Sequence, residues 1–457
     1  MIAGLGLERA IARYVPQGRL EQTPMKLASF IWRTALLRLA ASLLFALLVF
    51  GFWPQIKSIL EYIDLADFPV PLVLFLVAEN LFAHFSSVFQ AMMMQKMLTR
   101  LLVIQWGGRL LLIFAVLLDH TFISLEAALW IMAIPELLGV LTFIVALHYH
   151  LRHLESHHSV ALDHSETNWL DWKPALGMSL HNYGFSLLAA PPQGYFMRML
   201  VSATLSAETV AAYGFFQSIA EKARQYIPLH FFHSMIEPVL IARYLQDRDF
   251  AKLSQLCQLL YKSNVLVFVP AIAWVAAAGP DIAMALTGGK FADQSWVLLI
   301  VMVQLLIGSH VVVLQLILNA LGRSKLLIKA SFLALMGMTA YWLAVSQITT
   351  IGVLFGPIIF SLMVNMIIVM ALVSRGFAYH PSWEMLRGTV LAGLIASGAV
   401  FLLLGIIEKI EEVHIVAVVS GLVVLGVYGM GIHTLSIVKN EEVSMVRGLF
   451  TKKAPVR

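Results

Sequence analysis

Residues 295–319, SWVLLIVMVQLLIGSHVVVLQLILN, form a stretch of 25 residues that contains no Asp, Glu, Lys or Arg. A helix rises about 1.5 Å per residue, so a helix of this length can cross a hydrocarbon core about 30 Å thick. Comparable apolar stretches recur along the chain, separated by short charged connectors. They predict about twelve membrane-spanning helices, at 28–53, 70–95, 98–118, 123–147, 175–201, 208–237, 258–280, 295–319, 326–346, 349–373, 387–407 and 414–437.

The composition agrees with an all-α, polytopic transmembrane helix bundle. Hydrophobic residues make up 60% of the chain and charged residues 12%, and the mean hydropathy is +0.84. No connector is long enough for a soluble catalytic domain, and the longest polar stretch runs from His148 to Lys173. We therefore predict an N-terminal lobe of about four helices at 1–150, a cytoplasmic linker at 151–173 and a C-terminal lobe of about eight helices at 174–457.

Basic residues are unevenly distributed between alternate connectors. One set of connectors holds most of the Lys and Arg, whereas the other holds only a few bases, such as Lys57, Lys290 and Lys409, together with many acids. The positive-inside rule places the basic set in the cytoplasm, and with it both termini. The richer set comprises Arg9, Arg13, Arg19, Lys26, Lys96, Arg100, Arg152, Arg243, Arg248, Lys252, Arg323, Lys325, Arg375, Arg387, Lys439, Arg447, Lys452, Lys453 and Arg457.

Several protein classes are disfavoured by the residues themselves. The chain contains no G-x-x-x-x-G-K-[ST], H-E-x-x-H or G-x-S-x-G motif, so we predict neither an enzyme nor a bound cofactor. A net charge of +5 without a basic run argues against nucleic-acid binding. The single cysteine, Cys257, excludes an intramolecular disulfide and a Cys-based metal cage. The histidines between His148 and His164 lack the spacing of a defined metal site, so no metal ion is predicted.

Ionisable residues inside the predicted spans are the candidate functional residues, because a charge at membrane depth is costly and usually faces an interior or a cavity. The basic ones suit an anionic substrate, since guanidinium and ammonium groups bind phosphate oxygens well. The acidic ones are candidates for binding a coupling proton or sodium ion, although pairing between helices is the structural alternative. The substrate-binding candidates are Arg33, Arg38, Arg109, Lys222 and Arg224, and the ion-coupling candidates are Glu79, Glu136 and Glu221.

Two of these candidates are predicted to contact each other. Glu221 and Arg224 are three residues apart, so they fall on one helix face and can form an ion pair, with Glu221 holding Arg224 in place. Lys222 then points about 100° away from Glu221.

Five segments, in order, resemble the O-antigen and polysaccharide flippases of the multidrug/oligosaccharidyl-lipid/polysaccharide (MOP) exporter superfamily. Each corresponds to a helix end or turn of that family, and together they extend over most of the chain. One departure is that Met197 precedes Arg198, where the family usually has an acidic residue. The segments are GLERAIARYVPQ at 6–17, SATLSAETVAAYGFFQSI at 202–219, EPVLIARYLQDRDFAKL at 237–253, MALTGGKFADQSWVLLIV at 284–301 and LILNALGRSKLLI at 316–328.

The resemblance implies a MATE-like fold of two lobes around a V-shaped cavity that opens to each side in turn. It also implies a bacterial inner-membrane protein that moves an undecaprenyl-diphosphate-linked oligosaccharide between leaflets for polysaccharide biosynthesis. Its expected partners are this lipid-linked oligosaccharide, membrane lipids and polysaccharide polymerase or assembly proteins. The chain begins where the family's second helix ends, so the first two helices of the family are expected to be missing.

Two other functions remain open from the sequence. An ion-coupled drug or metabolite antiporter of the same superfamily would fit the apolar content of the chain equally well. The excess of basic residues over acidic ones among the charges within the spans, however, is less suited to cationic drugs. A non-transporting membrane subunit of an exopolysaccharide assembly complex is the other alternative. A membrane-embedded polymerase is disfavoured because no large outer loop or paired catalytic carboxylates are present.

Overall fold

The computed structural model describes residues 4–55, 69–118, 124–157, 172–379, 383–407, 413–439 and 442. These residues contain α-helices, one short 3₁₀ helix at Ile351–Phe355 and no β-strand. The helices are α1 (Leu7–Glu21), α2 (Pro24–Gly51), α3 (Pro69–Ala91), α4 (Gln95–Leu118), α5 (Leu125–His157), α6 (Trp172–Leu188), α7 (Gly194–Thr204), α8 (Ala207–Arg224), α9 (Pro228–Asp247), α10 (Phe250–Thr287), α11 (Ser295–Ala320), α12 (Lys325–Val345), α13 (Gly356–Val373), α14 (Trp383–Ile407) and α15 (Val413–Thr434).

Ten segments of the described chain are helical, long and apolar enough to cross a membrane. They coincide with ten of the twelve predicted spans, which confirms the prediction of an all-α polytopic bundle. The two remaining predictions, 175–201 and 208–237, are wrong as continuous helices. Each is divided into two shorter helices, α6 and α7 in the first case and α8 and α9 in the second.

Prolines explain both interruptions. Pro191 and Pro192 follow the end of α6, and neither can donate the backbone hydrogen bond that a continuing helix needs. The turn is closed instead by Gln193 N–H donating to Ala190 O at 2.9 Å. Pro228 begins α9, a position where its missing N–H is tolerated. The next backbone donor, Leu229 N–H, reaches the Asn264 side-chain oxygen at 3.0 Å.

The chain forms two compact units. The first comprises Met1–Gly184 together with Ser234–Arg248, and the second comprises Phe185–His233 together with Asp249–Arg457. Helix α9 is therefore shared, because its first residues belong to the second unit and the rest to the first. Of the predicted linker at 151–173, residues up to His157 continue α5, and 158–171 lie outside the described part of the chain.

Each unit has its own hydrophobic core. In the first unit, α2, α3 and α5 contribute buried aromatic side chains such as Phe30, Phe89 and Phe143. Phe143 packs edge-on against Phe89, with ring centroids 5.0 Å apart. In the second unit, Phe216 of α8 and Val297 of α11 lie in a core to which α10, α14 and α15 also contribute. The charged side chains of each unit are therefore positioned by a packed helical scaffold.

Helix α1 packs closely against the first unit through the residues at its start. Leu7, Ile11 and Val15 are buried on one face of the helix. Gly6, which precedes the helix, has a left-handed backbone with φ of 67°. A Cβ atom at this position would clash with the carbonyl oxygen of Ser179 in α6, so only glycine fits.

We predict that Gly6→Ala destabilises the docking of α1. A left-handed backbone costs a non-glycine residue about 1–2 kcal/mol, and the clash with Ser179 adds to this cost. Thermal unfolding of the detergent-solubilised protein should therefore show a lower midpoint than wild type. Gly108→Ala is the matched control, because Gly108 is helical with open space around it and alanine favours a helix. Equal midpoints for Gly6→Ala and Gly108→Ala would contradict the assigned role of Gly6.

Candidate functional site

Arg38, one of the predicted substrate contacts, is buried in the first unit and bound by its neighbours. Its Nη2 atom donates to Glu8 Oε1 at 2.9 Å, and its Nε atom donates to Asn80 Oδ1 at 2.9 Å. The Asn80 amide in turn donates to Ser42 Oγ, one turn along α2 from Arg38. A buried charge requires such partners to remain stable. The network joins α1, α2 and α3.

Arg109 and Glu136 are brought together by α4 and α5. The Arg109 guanidinium donates to Glu136 Oε1, and the Gln105 amide donates to Glu136 Oε2 at 2.6 Å. The guanidinium also lies 5.0 Å from the centroid of the Trp106 ring. The carboxylate therefore has a partner on each oxygen. A predicted substrate contact and a predicted ion-coupling residue form one buried ion pair.

Charged contacts also attach α1 to the rest of the first unit. Arg9 pairs with the buried Glu237 of α9, and Arg19 donates to the carbonyl oxygen of Met92. Arg13 lies 6.0 Å from the centroid of the neighbouring Tyr14 ring. Burial lowers the pKa of Arg13 and Arg19, and it raises the pKa of Tyr14. Both arginines remain cationic at neutral pH, since the ordinary arginine value is above about 12.

Two predicted site residues of the first unit lie on its surface. Arg33 of α2 and Glu79 of α3 are both exposed. Glu79 precedes Asn80, the ligand of Arg38, so it points about 100° away around the helix. The structure thus separates these two residues from the buried network around Arg38.

The last turn of α8 holds the predicted site residues of the second unit. Lys222 and Arg224 are exposed there, and Glu221 is half-buried. The expected ion pair between Glu221 and Arg224 does not form in the described structure. Instead, Glu221 extends toward the start of α7, where a Cβ atom added to Gly194 would lie 2.5 Å from Glu221 Oε1. The physical reason is that the partial positive charge of a helix N-terminus attracts a carboxylate.

Tyr213 and Gln217, two polar residues on the same face of α8 as Glu221, were not identified from the sequence. Tyr213, Gln217 and Glu221 are spaced four residues apart and therefore line one face. Arg198 of α7 donates to Gln217 Oε1 at 3.0 Å and to Ser218 Oγ at 2.9 Å. The four-residue spacing of polar residues in an apolar segment is the signal that would have found this face.

Two further polar clusters of the second unit were also missed. His310 of α11 is hydrogen-bonded to the Tyr379 hydroxyl at 2.8 Å, and its ring lies 4.7 Å from that of Tyr261. Lys262 of α10 pairs with Glu442 at 2.6 Å. No sequence signal links these partners, because Lys262 and Glu442 are separated by 180 positions.

The histidine-rich segment at 148–164 begins in the last part of α5. His148, His150, His153 and His157 belong to α5, whereas His158 and His164 lie outside the described residues. Within the described part of the chain, no group of three His, Cys, Asp or Glu residues is arranged to hold a metal ion.

Solved structures of MATE transporters are similar to this chain over most of its length. A mutant of the Vibrio cholerae MATE transporter VcmN matches with a TM-score of 0.60 and 17% identity, covering 82% of this chain and 86% of its own. This chain therefore has a MATE transporter fold. A MATE protein in the bent conformation matches with a TM-score of 0.60 and 14% identity, covering 82% and 84%.

A third structure with this fold is an outward-facing multidrug resistance MATE family transporter of the MOP superfamily. It matches with a TM-score of 0.57 and 14% identity, covering 82% of this chain and 84% of its own. No family model and no curated protein matches the sequence. The MATE-like fold expected from the sequence segments is confirmed, and at these identities the likeness concerns the fold alone.

We predict that Arg109→Met is much more destabilising than the double substitution Arg109→Met with Glu136→Gln. The single change leaves a buried carboxylate without its cation, which costs about 3–5 kcal/mol, whereas the double change leaves two neutral side chains. Thermal unfolding in detergent should give the lowest midpoint for the single variant. If the two variants unfold at the same temperature, the ion pair does not stabilise the first unit as described.

Proposed function

We propose that this protein is a membrane transporter that moves a lipid-diphosphate-linked oligosaccharide across the inner membrane by alternating access. The MATE transporter fold supports a transport function. The resemblance of five sequence segments to polysaccharide flippases supports the class of substrate. The charges of the second unit supply the physical argument for an anionic substrate.

The observation that carries the proposal is the meeting of two interrupted helices in the second unit. The break between α6 and α7 and the break between α8 and α9 both interrupt segments long enough to span a membrane. They approach each other where Glu221 reaches Gly194. In transporters, interrupted helices at membrane depth supply helix ends and unwound backbone to the substrate site.

Two exposed cations lie beside this meeting point. Lys222 and Arg224 directly follow Glu221, which is turned toward α7 instead of neutralising them. Both lie in the last turn of α8, where the helix dipole favours positive charge, so they are stable there without a substrate. An ammonium and a guanidinium group are suited to the oxygens of a diphosphate.

The remaining candidates take different roles in this proposal. Arg33 is exposed and would contact the substrate at the cytoplasmic entrance. Arg38 and Arg109 are already bound to carboxylates, so a phosphate group would reach them only by displacing Glu8 or Glu136. We assign the stronger role to Lys222 and Arg224.

We predict that the double variant Lys222→Ala with Arg224→Ala loses flippase activity. Each charge-assisted hydrogen bond contributes about 1.5–3 kcal/mol, so the rate of flipping should fall at least tenfold. The measurement is rescue of a strain that lacks its lipid-linked oligosaccharide flippase. It is followed by transport of a fluorescent undecaprenyl-diphosphate-linked sugar in proteoliposomes that contain only this protein.

The matched control is Lys96→Ala with Arg100→Ala, which removes one exposed lysine and one exposed arginine from α4. Normal transport by the α8 variant, or equal losses in both double variants, would overturn the assignment of the site. Absence of transport by the wild-type protein at normal membrane levels, after testing several sugars, would overturn the flippase proposal. A requirement for a second protein would favour an assembly subunit.

The second candidate function is an ion-coupled antiporter of drugs or metabolites. The observation that favours it is the exposed carboxylate of Glu79 on α3, which would attract cationic compounds. Efflux of a cationic dye that depends on Glu79 and is indifferent to Lys222 and Arg224 would select this function over the flippase.

A further inference from the structure

Helices α7 and α8 of the second unit are joined by a cluster of polar side chains. Arg198 of α7 donates from Nε to Gln217 Oε1 at 3.0 Å and from Nη2 to Ser218 Oγ at 2.9 Å. Tyr213 and Glu221 lie one turn to either side of Gln217 on α8, so these three side chains share one face. We call this set the α7–α8 polar cluster: Arg198, Tyr213, Gln217, Ser218 and Glu221.

The Tyr213 hydroxyl is the unsatisfied group of this cluster. Only 1% of the tyrosine surface is exposed, and in the described structure the hydroxyl has no hydrogen-bond partner. The charged groups that act on the phenol are Arg198 and Glu221. A buried polar group without a partner is destabilising, and phenylalanine would fill the same space without this cost. A ligand that hydrogen-bonds to the hydroxyl would remove the penalty.

The cluster is buried on one side and accessible on the other. Gln217 is buried, whereas Ser218 is exposed and both Arg198 and Glu221 are half-buried. Glu221 Oε1 lies over Gly194, where an added Cβ atom would be only 2.5 Å from the oxygen. The exposed edge gives a ligand access to the cluster, and the packed helices hold the buried side chains in place.

The chemistry of the cluster suits a neutral ligand that both donates and accepts hydrogen bonds. The Arg198 guanidinium only donates, the Glu221 carboxylate only accepts, and the Gln217 amide does both. The two charges offset each other, and the carboxylate would repel a phosphate group. Sugar hydroxyl groups donate and accept, and they form charge-assisted hydrogen bonds with carboxylate and guanidinium groups. The cluster is therefore suited to a sugar and not to a diphosphate.

The position of the cluster also agrees with the proposed substrate. Ser218 and Lys222 share a face of α8 and are one turn, or about 6 Å, apart along the helix. In a lipid-diphosphate-linked oligosaccharide, the first sugar is bonded directly to the diphosphate. A diphosphate held by Lys222 and Arg224 would thus present its first sugar to the polar cluster.

We propose that the α7–α8 polar cluster binds the first sugar of the substrate and selects it by its hydroxyl groups. In the bound state, the Tyr213 hydroxyl and the Glu221 carboxylate bond to sugar hydroxyl groups, and Arg198 exchanges a contact on α8 for a sugar oxygen. The inference rests on the proposed function, which supplies the class of substrate. It adds a sugar subsite to the diphosphate subsite at Lys222 and Arg224.

The expected preference follows from the hydrogen bonds. A typical hydrogen bond to a ligand changes a dissociation constant by about threefold to tenfold. A site built to bond a hydroxyl group also discriminates against an analogue that lacks it. Two or more such bonds should make a carrier with a sugar bind about tenfold or more tightly than the bare carrier.

The test compares the binding of two carriers to the purified full chain in detergent. The carriers are undecaprenyl diphosphate alone and undecaprenyl diphosphate bearing glucose, galactose or N-acetylglucosamine. Each displaces undecaprenyl diphosphate that is fluorescently labelled on its lipid chain, and the ratio of the two dissociation constants measures the preference for the sugar. We expect the wild type to show a preference of about tenfold or more for at least one of these sugars.

Two substitutions should lower this preference. Tyr213→Phe removes one hydroxyl group and should lower the ratio about threefold or more. Gln217→Leu removes an acceptor that positions Arg198, and it should lower the ratio as well. The unfolding midpoint of Tyr213→Phe should equal or exceed that of the wild type, because a buried hydroxyl without a partner is removed. A purely structural role for the hydroxyl would lower the midpoint and leave the ratio unchanged.

Tyr428→Phe is the matched control. Tyr428 of α15 is another buried tyrosine of the second unit whose hydroxyl has no hydrogen-bond partner in the described structure. Its substitution should leave the preference for the sugar unchanged. The double variant Lys222→Ala with Arg224→Ala should weaken the binding of both carriers and preserve the ratio, since it affects the diphosphate.

The results separate this inference from the proposed function. Equal binding of the bare and the sugar-bearing carriers, for every sugar, would overturn the sugar subsite and leave the diphosphate subsite standing. A preference that persists unchanged in both Tyr213→Phe and Gln217→Leu would also overturn it. If the wild type binds neither kind of carrier, the proposed function fails and the sugar subsite fails with it.

Discussion

A charged side chain within an apolar helical bundle is costly unless an opposite charge or a hydrogen-bond partner accompanies it. The first unit meets this constraint by pairing: Arg38 with Glu8, Arg109 with Glu136 and Arg9 with Glu237. These pairs join α1 to α2, α4 to α5 and α1 to α9. The pairs therefore help to hold these helices together, and α1 takes part in two of the three.

In the second unit, the cations of the candidate site are exposed instead of buried in ion pairs. Lys222 and Arg224 remain exposed at the end of α8, and Glu221 is turned toward the start of α7. The prolines that interrupt the two helix pairs bring these groups to the ends of short helices, where backbone groups are also available. Buried, paired cations such as Arg38 and Arg109 and exposed cations such as Lys222 and Arg224 suit different parts of a transport cycle. We propose that the exposed cations at the end of α8 contact the substrate.

Much of the candidate site could be named from the sequence, because an ionisable residue within an apolar stretch stands out by composition alone. Arg38, Arg109, Glu136, Lys222 and Arg224 were all identified in this way. Which residues pair with one another was not identified, since a three-residue spacing suggested Glu221 for Arg224, whereas the Glu221 carboxylate turns to a neighbouring helix. Glu8 lies outside any predicted span. Nothing in the sequence indicates that it binds Arg38, which is 30 positions away in the chain.

The sequence alone determined that the protein is an all-α membrane bundle, because the length and apolarity of each span are local properties set by the thickness of a bilayer. Only the tertiary structure decided that two of those spans are interrupted, because a proline within an apolar stretch is compatible with either a kink or a break. It also decided which charges are paired and which exposed. Pairing depends on distances between helices that lie far apart in the chain, and hydropathy carries no information about those distances.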